Sequence, residues 1–563
     1  MLILFLFLAI PSTSTKEKAT MTCHDIIYNS PEKCRLRKRI ELLKKNYKRR
    51  IRNLQQNVRR KTKQITTIKD MLNQLKKTNL LNVEQADTLQ SFSESSNIFN
   101  RIMHAKRVPR QYDEQFRVFA LTLHYYSPRA YEYVRSKFNF CLPHPKTITK
   151  WYGSIHGEPG IISEALNYIR QRVNNVNYPL LGSIIFDEMA IKQHVEFDGT
   201  KFCGYTDMGD NIISEDNSLA SEALVIMIVC INEAWKIPIA YFLINKISSE
   251  MKSNLILQCI SAINNTGMKV ISVTCDGLSS NISAFKYLGC NFDDIISLQT
   301  SFQHPDIGEI IVAFLDPCHM LKLIRNVIGD IKIIIDGNGE QIKWSDLETL
   351  HAFQQSEDMH LGNKLRKFHI DYHNQKMKVR LAAQIFSTSV ANSLLFCKDN
   401  LQLKEFQSCQ ETIKFLRIFN DLFDIFNSKN IKQHGFKQPL NEQNAELIVN
   451  KLKEIKDYIL SLKTINGQLL IHTRKKTGFL DFLICINSAI VLYNEMCKKK
   501  KLLKYIPFYK ISQDHVELFF GCIRHHGGHN NNPTTRQFKA AIKKIIVHTE
   551  LRNERNGNCI SLE

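Results

Sequence analysis

The sequence predicts a multidomain protein in which an α/β block is interrupted by a mainly helical insertion and preceded by a coiled coil and a helix-turn-helix domain. Three observations carry this expectation. A heptad seam runs through a strongly basic tract near the N-terminus. Two apolar segments of strand length, 182–187 and 269–276, each close on an aspartate. The second of these, Asp276, stands 517 − 276 = 241 residues before a helix-borne acid, Glu517, too far for one compact sheet domain without an inserted unit.

Length and composition set the frame. At 563 residues the chain has room for about three to four domains. Hydrophobic residues make 44% and charged residues 23%, ordinary values for packed cores, which excludes wholesale disorder. Net charge is 76 − 54 = +22, a balance that favours a polyanionic partner. Most of it is local. Between Lys33 and Lys77 stand 18 Lys or Arg against two acids, Glu41 and Asp70, so 16 of the 22 excess charges fall in 45 residues. The 15 cysteines are odd in number, form no C-x-x-C pair, and often sit in apolar runs (Cys230, Cys259, Cys275, Cys485), as reduced buried thiols do. A reducing compartment is expected. The first ten residues, MLILFLFLAI, imitate a secretory signal, but no Lys or Arg precedes them and no small-x-small cleavage site follows. They are also too few to span a bilayer. Residues 1–30 are read as an uncertain segment with a misassigned start, and no membrane partner is expected.

The elements follow in order. From Ile40 the seam runs Leu43, Tyr47, Ile51, Leu54, Val58, Lys61, Ile65, Ile68, Leu72, Leu75, in steps of three and four with one stutter. That spacing predicts a basic coiled coil over 33–78 that dimerises and carries phosphate-binding charge. Residues 78–98 are polar and read as a linker. Three short helices are predicted next, at 112–126, 130–138 and 146–152, the last of them basic, which suits a helix-turn-helix DNA reader over 95–165. Strands follow at 182–187, 201–207, 223–231 and 236–244, then a helix at 254–264 and the strand ending at Asp276. This is the first part of the α/β block, 180–302. Residues 303–505 read as the helical insertion, with a strand expected only near 331–336. The second part of the block, 506–550, holds an amphipathic helix with Asp514 and Glu517.

Asp187, Asp276 and Glu517 are the candidate catalytic and metal-binding residues. Two aspartates at strand ends and a glutamate on a following helix can converge at one sheet edge. Three carboxylates there suit two Mg²⁺ ions, which prefer hard oxygen ligands and serve phosphodiester chemistry by activating one oxygen and stabilising the other. Spacing alone is weak, because any α/β enzyme places acids at strand ends.

The words around these residues say more. DEMAIK from Asp187, with FDGTKFCGYTD from Phe197, TCDG around Asp276, DPCHMLKLIRN from Asp316 and SQDHVELFFGCIR around Glu517 together resemble the P-element transposase family, which includes the THAP-domain transposases. The likeness runs in order from the zipper to about residue 548. It implies an RNase H-like catalytic domain interrupted by a GTP-binding insertion, and it places the catalytic roles on Asp187, Asp276 and Glu517. No GxxxxGK[ST] loop occurs, so a Walker-type site is excluded. The resemblance implies instead an unconventional guanine site built from Asp316, Lys322, Phe423, Asp424, Asn427 and Asp514. A carboxylate such as Asp424 accepts from guanine N1–H and N2–H, an aromatic stacks on the base, and Lys322 meets a phosphate. One feature departs from the THAP-bearing relatives. They begin with a C-x₂₋₄-C…C-x₂-H zinc finger, and the spacing of Cys23, His24 and Cys34 does not fit one.

The expectation is therefore a nuclear DDE-type DNA transposase using Mg²⁺ and GTP, acting on transposon ends and target DNA as a homo-oligomer. The rival is a domesticated, catalytically silent dimeric DNA-binding regulator that keeps the fold.

Overall fold

The structure, a computed structural model, describes residues 31–94, 112–153, 157–209, 218–526 and 530–553, apart from 113, 138–139, 141, 198 and 200. The uncertain segment 1–30, and the start of the expected helix-turn-helix domain at 95–111, lie outside these. The chain divides into two compact units, Met1–His144 and Pro145–Glu563.

In the first unit the basic tract forms one helix, α1 (Pro31–Lys77), with proline in its first turn where no N–H partner is lost. From Ile40 to Val58 its apolar seam is open to solvent: Ile40, Tyr47, Leu54 and Val58 are 50%, 62%, 57% and 63% exposed. At its other end Leu72 and Leu75 are buried against α2 (Val83–Glu94). That helix occupies the stretch expected to be a linker. Asn82 and Gln85 exchange bonds at its start, Asn82 N to Gln85 Oε1 at 3.0 Å and Gln85 N to Asn82 Oδ1 at 2.7 Å, a reciprocal cap that fixes the helix while Leu81, Ala86 and Leu89 are buried. Two more helices, α3 (Glu114–Tyr126) and α4 (Pro128–Lys137), match the expected pair. Tyr133 Oη donates to Gln74 of α1 at 2.8 Å, and Tyr131 Oη to the Pro143 carbonyl at 2.7 Å.

The third expected helix is present as α5 (Pro145–Gly153), but it belongs to the second unit and packs on that unit's C-terminal helix. The second unit is built on a seven-stranded mixed sheet of order β1-β6-β5-β2-β7-β9-β8. Its strands are β1 (Gly160–Ile161), β2 (Leu181–Ala190), β5 (Glu222–Cys230), β6 (Lys236–Ile244), β7 (Lys269–Cys275), β8 (Ser301–Gln303) and β9 (Ile310–Leu315). β2, β5 and β6 pair antiparallel, whereas β7 and β9 continue parallel to β2. Almost every side chain of β5, β6 and β7 is buried, as strands covered on both faces require. Helices α6 (Ser163–Asn174), α7 (Ser249–Asn264) and α8 (Ser279–Leu288) supply cover from the first half of the unit.

Two sequence expectations shift here. The strand expected at 201–207 shrinks to a two-residue ribbon, β3 (Glu196–Phe197) with β4 (Phe202–Cys203). Gly204 ends it at φ +127°, where a side chain would meet the His194 carbonyl at 2.3 Å. The sheet also runs past residue 303, because β9 pairs parallel with β7 from Ser272–Val312 to Cys275–Leu315.

Beyond β9 the chain is mainly helical. α9 (Pro317–Ile331) leads to a small sheet of β10 (Ile333–Ile335), β11 (Gln341–Lys343) and, later, β13 (Lys463–Thr464). Then come α10 (Trp344–Ser356), α11 (Val379–Ile385), α12 (Thr388–Asp399), α13 (Gln410–Phe426), α14 (Ala445–Ser461) and α15 (Thr477–Tyr493), with β12 (Leu440–Asn441) paired to β14 (Tyr505–Ile506). Phe386, Phe415, Phe419 and Phe482 form one aromatic cluster among α13, α15 and their neighbours. The segment Thr477–Lys499 is apolar and long enough to cross a membrane by composition. It is a core helix instead, with Ser488 Oγ donating to the Ala313 carbonyl at 2.6 Å and Cys485 bonded to Leu315 of β9. The chain ends in α16 (Asp514–His526) and α17 (Thr535–Asn553).

Candidate active site

The sequence predicts Asp187 at a strand end, but β2 continues three residues past it to Ala190, because β5 goes on pairing there; parallel register still brings Asp187 level with Asp276, the first residue after β7. The last paired positions of β2 and β7 are Ile185 and Thr274; two residues further along come Asp187, within β2, and Asp276, just past the end of β7. α16 packs on β2 and β5 and carries Glu517 in its first turn. Its start is latched to the strand by Gln513, whose Nε2 donates to the Phe186 carbonyl at 3.1 Å while its own carbonyl accepts from Glu517 N at 3.1 Å. Gln513 thus holds Glu517 near Asp187 through its side-chain amide on one side and its backbone carbonyl on the other. Burial, followed by the charges of Glu517 and Asp276, pushes the Asp187 carboxyl up to about 8. A carboxyl in that state sits in a field deficient in positive charge, the field a divalent cation would neutralise. The three carboxylates are near enough for Glu517 and Asp276 to act on Asp187 through their charge. Among the described residues no group of three or more His, Cys, Asp or Glu stands close enough together to hold a metal ion as they are placed.

Around Asp276 the packing is tight. The residue is 9% exposed, and its Oδ1 accepts from Asn281 Nδ2 at 2.6 Å and from Leu278 N at 3.2 Å. Asp481 of α15 approaches from the insertion side. It is 2% exposed, and its Oδ2 has no hydrogen-bond partner. Burial and then Asp276 raise its carboxyl well above the usual range. A side chain at Gly277 would meet that Oδ2 at 2.2 Å.

The six nucleotide candidates fall into two groups. Asp316 caps α9, with Oδ2 accepting from His319 N at 2.8 Å and Oδ1 from Gln513 N at 3.2 Å. Both its oxygens are therefore engaged in the fold. Burial and the nearby Asp514 carboxylate push it up to about 7, against the opposing charge of Lys322. Asp514 also accepts from Cys318 Sγ at 3.6 Å. Phe423, Asp424 and Asn427 lie half-buried at the end of α13. Asp424 Oδ2 accepts from Asn420 Nδ2 at 3.2 Å and lies 3.9 Å from Lys437 Nζ. The groups are linked through Tyr509, whose N–H donates to the Ser428 carbonyl at 3.1 Å five residues before Asp514. α9 and α13 pack on each other, but no described hydrogen bond or ion pair joins the two groups directly.

Comparison with known proteins follows this division. Residues 157–289 and 509–543 match the TNP-like RNase H N-terminal and C-terminal domains, 318–439 the TNP-like GTP-binding insertion domain, and 74–151 the Transposable element P transposase-like HTH domain. DNA transposase THAP9 of Homo sapiens is 31% identical over 451 residues, 79% of this chain and 49% of that protein. The chain belongs to the P-element transposase family. The Transposable element P transposase of Drosophila melanogaster is 26% identical over 447 residues, 78% of this chain and 55% of that protein. The chain spans about half the length of these two relatives. The fold of the Drosophila P element transposase strand transfer complex is shared at a TM-score of 0.67, with 23% identity, over 82% of this chain and 98% of that one.

In P-element family terms, the sheet with α16 is an RNase H-like domain split by the GTP-binding insertion. The matched insertion begins at 318, after β9. Sequence reasoning missed Gln513, Asn281, Asp481 and Lys252, which is 2% exposed and donates through Nζ to Asn281 Oδ1 at 2.6 Å. The last two look like solvated acids and bases in the sequence, and only their burial sets them apart.

Proposed function

We propose that this chain is a DDE-type DNA transposase of the P-element class that cleaves and joins DNA strands with Mg²⁺, and uses GTP as a cofactor. The observation that carries the reading is the convergence of Asp187, Asp276 and Glu517, with Asp187 held up to about 8 by burial and the other two charges. Held by these carboxylates, Mg²⁺ would supply activation of the attacking oxygen and stabilisation of the leaving one. The chain's own residues do the rest. Gln513 fixes the Glu517 backbone against β2. Asn281 and Leu278 occupy Oδ1 of Asp276, and no described hydrogen bond falls on Oδ2. The basic face of α1 and the HTH region would hold DNA phosphates, and the exposed seam of α1 would pair two copies. Such a protein works in the nucleus.

The test is Mg²⁺-dependent nicking of an end-bearing DNA by the full chain and by Asp187→Ala, Asp276→Ala and Glu517→Ala. Each variant should lose nicking while keeping fold and DNA binding. A Glu517→Ala chain that cuts as fast as wild type would overturn the triad. The rival is the catalytically silent DNA-binding regulator that keeps the fold. It would be supported by wild-type protein that binds DNA and leaves it uncut.

A further inference from the structure

A buried lysine sits behind the candidate metal site. Lys252, in the first turn of α7, is 2% exposed. Its Nζ donates to Glu188 Oε1 at 2.6 Å and to Asn281 Oδ1 at 2.6 Å. Asn281, fully buried in α8, in turn donates from Nδ2 to Asp276 Oδ1 at 2.6 Å. Glu188 is the neighbour of Asp187, and its N–H donates to Asp187 Oδ1 at 2.9 Å. One ammonium therefore ties the residue beside one candidate ligand to the amide that grips the other, across strands β2 and β7.

The chemistry of the three groups fixes their orientation. An ammonium has three donors and no acceptor, so the Asn281 oxygen must face Lys252. Its NH₂ must then face Asp276. An amide lacking that anchor can turn over and set its carbonyl against the carboxylate. We infer that Lys252 and Asn281 are positioning residues that hold Asp276 with Oδ1 occupied, leaving Oδ2 as the oxygen offered to a divalent cation. This rests on the metal-dependent reading above. Groups that orient a metal ligand through such bonds typically change metal affinity about 10- to 100-fold when removed.

Lys252 is also half of a buried ion pair, and Lys252→Met alone would strand the Glu188 carboxylate. The experiment therefore compares Asn281→Ser, Asn281→Leu and the double variant Lys252→Met with Glu188→Gln, which removes both charges. An exposed control, Lys286→Met, breaks only the surface pair with Asp293. Mn²⁺ binding to each full-length protein is titrated by the electron paramagnetic resonance signal of the free ion, and thermal melts are recorded alongside. The inference expects the Mn²⁺ dissociation constant to rise about 10-fold or more in the Asn281 variants and the double variant, with the control unchanged. Equal Mn²⁺ affinity in all proteins would overturn it, as would a lowered melting temperature with wild-type affinity, which is the mark of a purely structural role. Wild-type protein that binds no Mn²⁺ would instead sink the metal-dependent reading itself, so the two failures are distinct.

Discussion

His515 shows how a single side chain can set a pH response. Its Nε2 lies 3.1 Å from the Tyr509 carbonyl, which only accepts, so Nε2 carries the proton and Nδ1 accepts from Lys236 Nζ at 2.9 Å. The ring is neutral and locked in one tautomer. Burial, then Lys236, pushes its pKa down to about 3 from an ordinary 6.5. A base depressed in the folded state contributes its full stability above 6.5; below that the unfolded chain takes up a proton that the fold refuses. The contribution is therefore lost progressively as pH falls from 6.5 toward 3, by about 1.4 kcal/mol per pH unit. His515→Gln can keep both bonds without titrating. Wild type should lose stability relative to this variant between pH 6.5 and 4, measured by denaturant melts. A constant difference across that range would show that His515 does not set the response. Little local in the sequence marks His515 or Gln513: Tyr509 is near in the chain, but Lys236 and Phe186 lie 279 and 327 residues away.

At the scale of elements, regular patterns were legible and short-range caps were not read. The apolar seam of α1 follows a fixed period, and the helix runs unbroken from Pro31 to Lys77 as that period requires. The Asn82–Gln85 exchange was equally visible in the sequence, yet the polar composition around it suggested a linker. A cap outweighs composition once two or three apolar residues find cover. Asn82→Ala should cost about 1 kcal/mol in thermal or denaturant melts, and an unchanged midpoint would deny the cap that weight. The exposed seam makes a larger prediction. Leu54→Pro removes one helical hydrogen bond and clashes with the preceding turn, a cost of about 3 kcal/mol or more within the helix. If the seam pairs two copies, wild type should elute as a dimer or larger and the Pro variant as a monomer. Identical sizes for both would remove the zipper. DNA binding by the same tract should weaken steeply with salt, since each neutralised phosphate releases counterions.

At the scale of the whole molecule, the 241-residue gap between Asp276 and Glu517 pointed to the insertion, but not to where it begins. Ile310–Leu315 is a six-residue apolar run, which periodicity cannot tell from a buried helix segment. Only its parallel pairing with β7 makes it sheet. The chain also returns Asp481 of α15 to the back of Asp276 and Gly277, so the helical segment and the carboxylate half share a wall. That shared wall makes guanine recognition the property to test in the intact chain. Asp424 is half-buried, and burial raises its carboxyl. Its close partners are Asn420 and a largely exposed Lys437, 61% accessible, which can yield the carboxylate to a base. If Asp424 accepts from guanine N1–H and N2–H, Asp424→Asn places a donor where an acceptor is needed. A charge-assisted hydrogen bond is worth about 1.5–3 kcal/mol, so GTP should bind tenfold or more weakly. Xanthosine triphosphate, whose 2-oxo group accepts where guanine donates, should bind the variant better than GTP does. Lys322→Ala should weaken both nucleotides alike, because an ammonium meets phosphate and not base. Titrating the full chain and both variants with labelled GTP and xanthosine triphosphate separates these outcomes. GTP affinity unchanged in both variants would make the helical insertion a scaffold for α15 and Asp481, with no guanine site at Asp424.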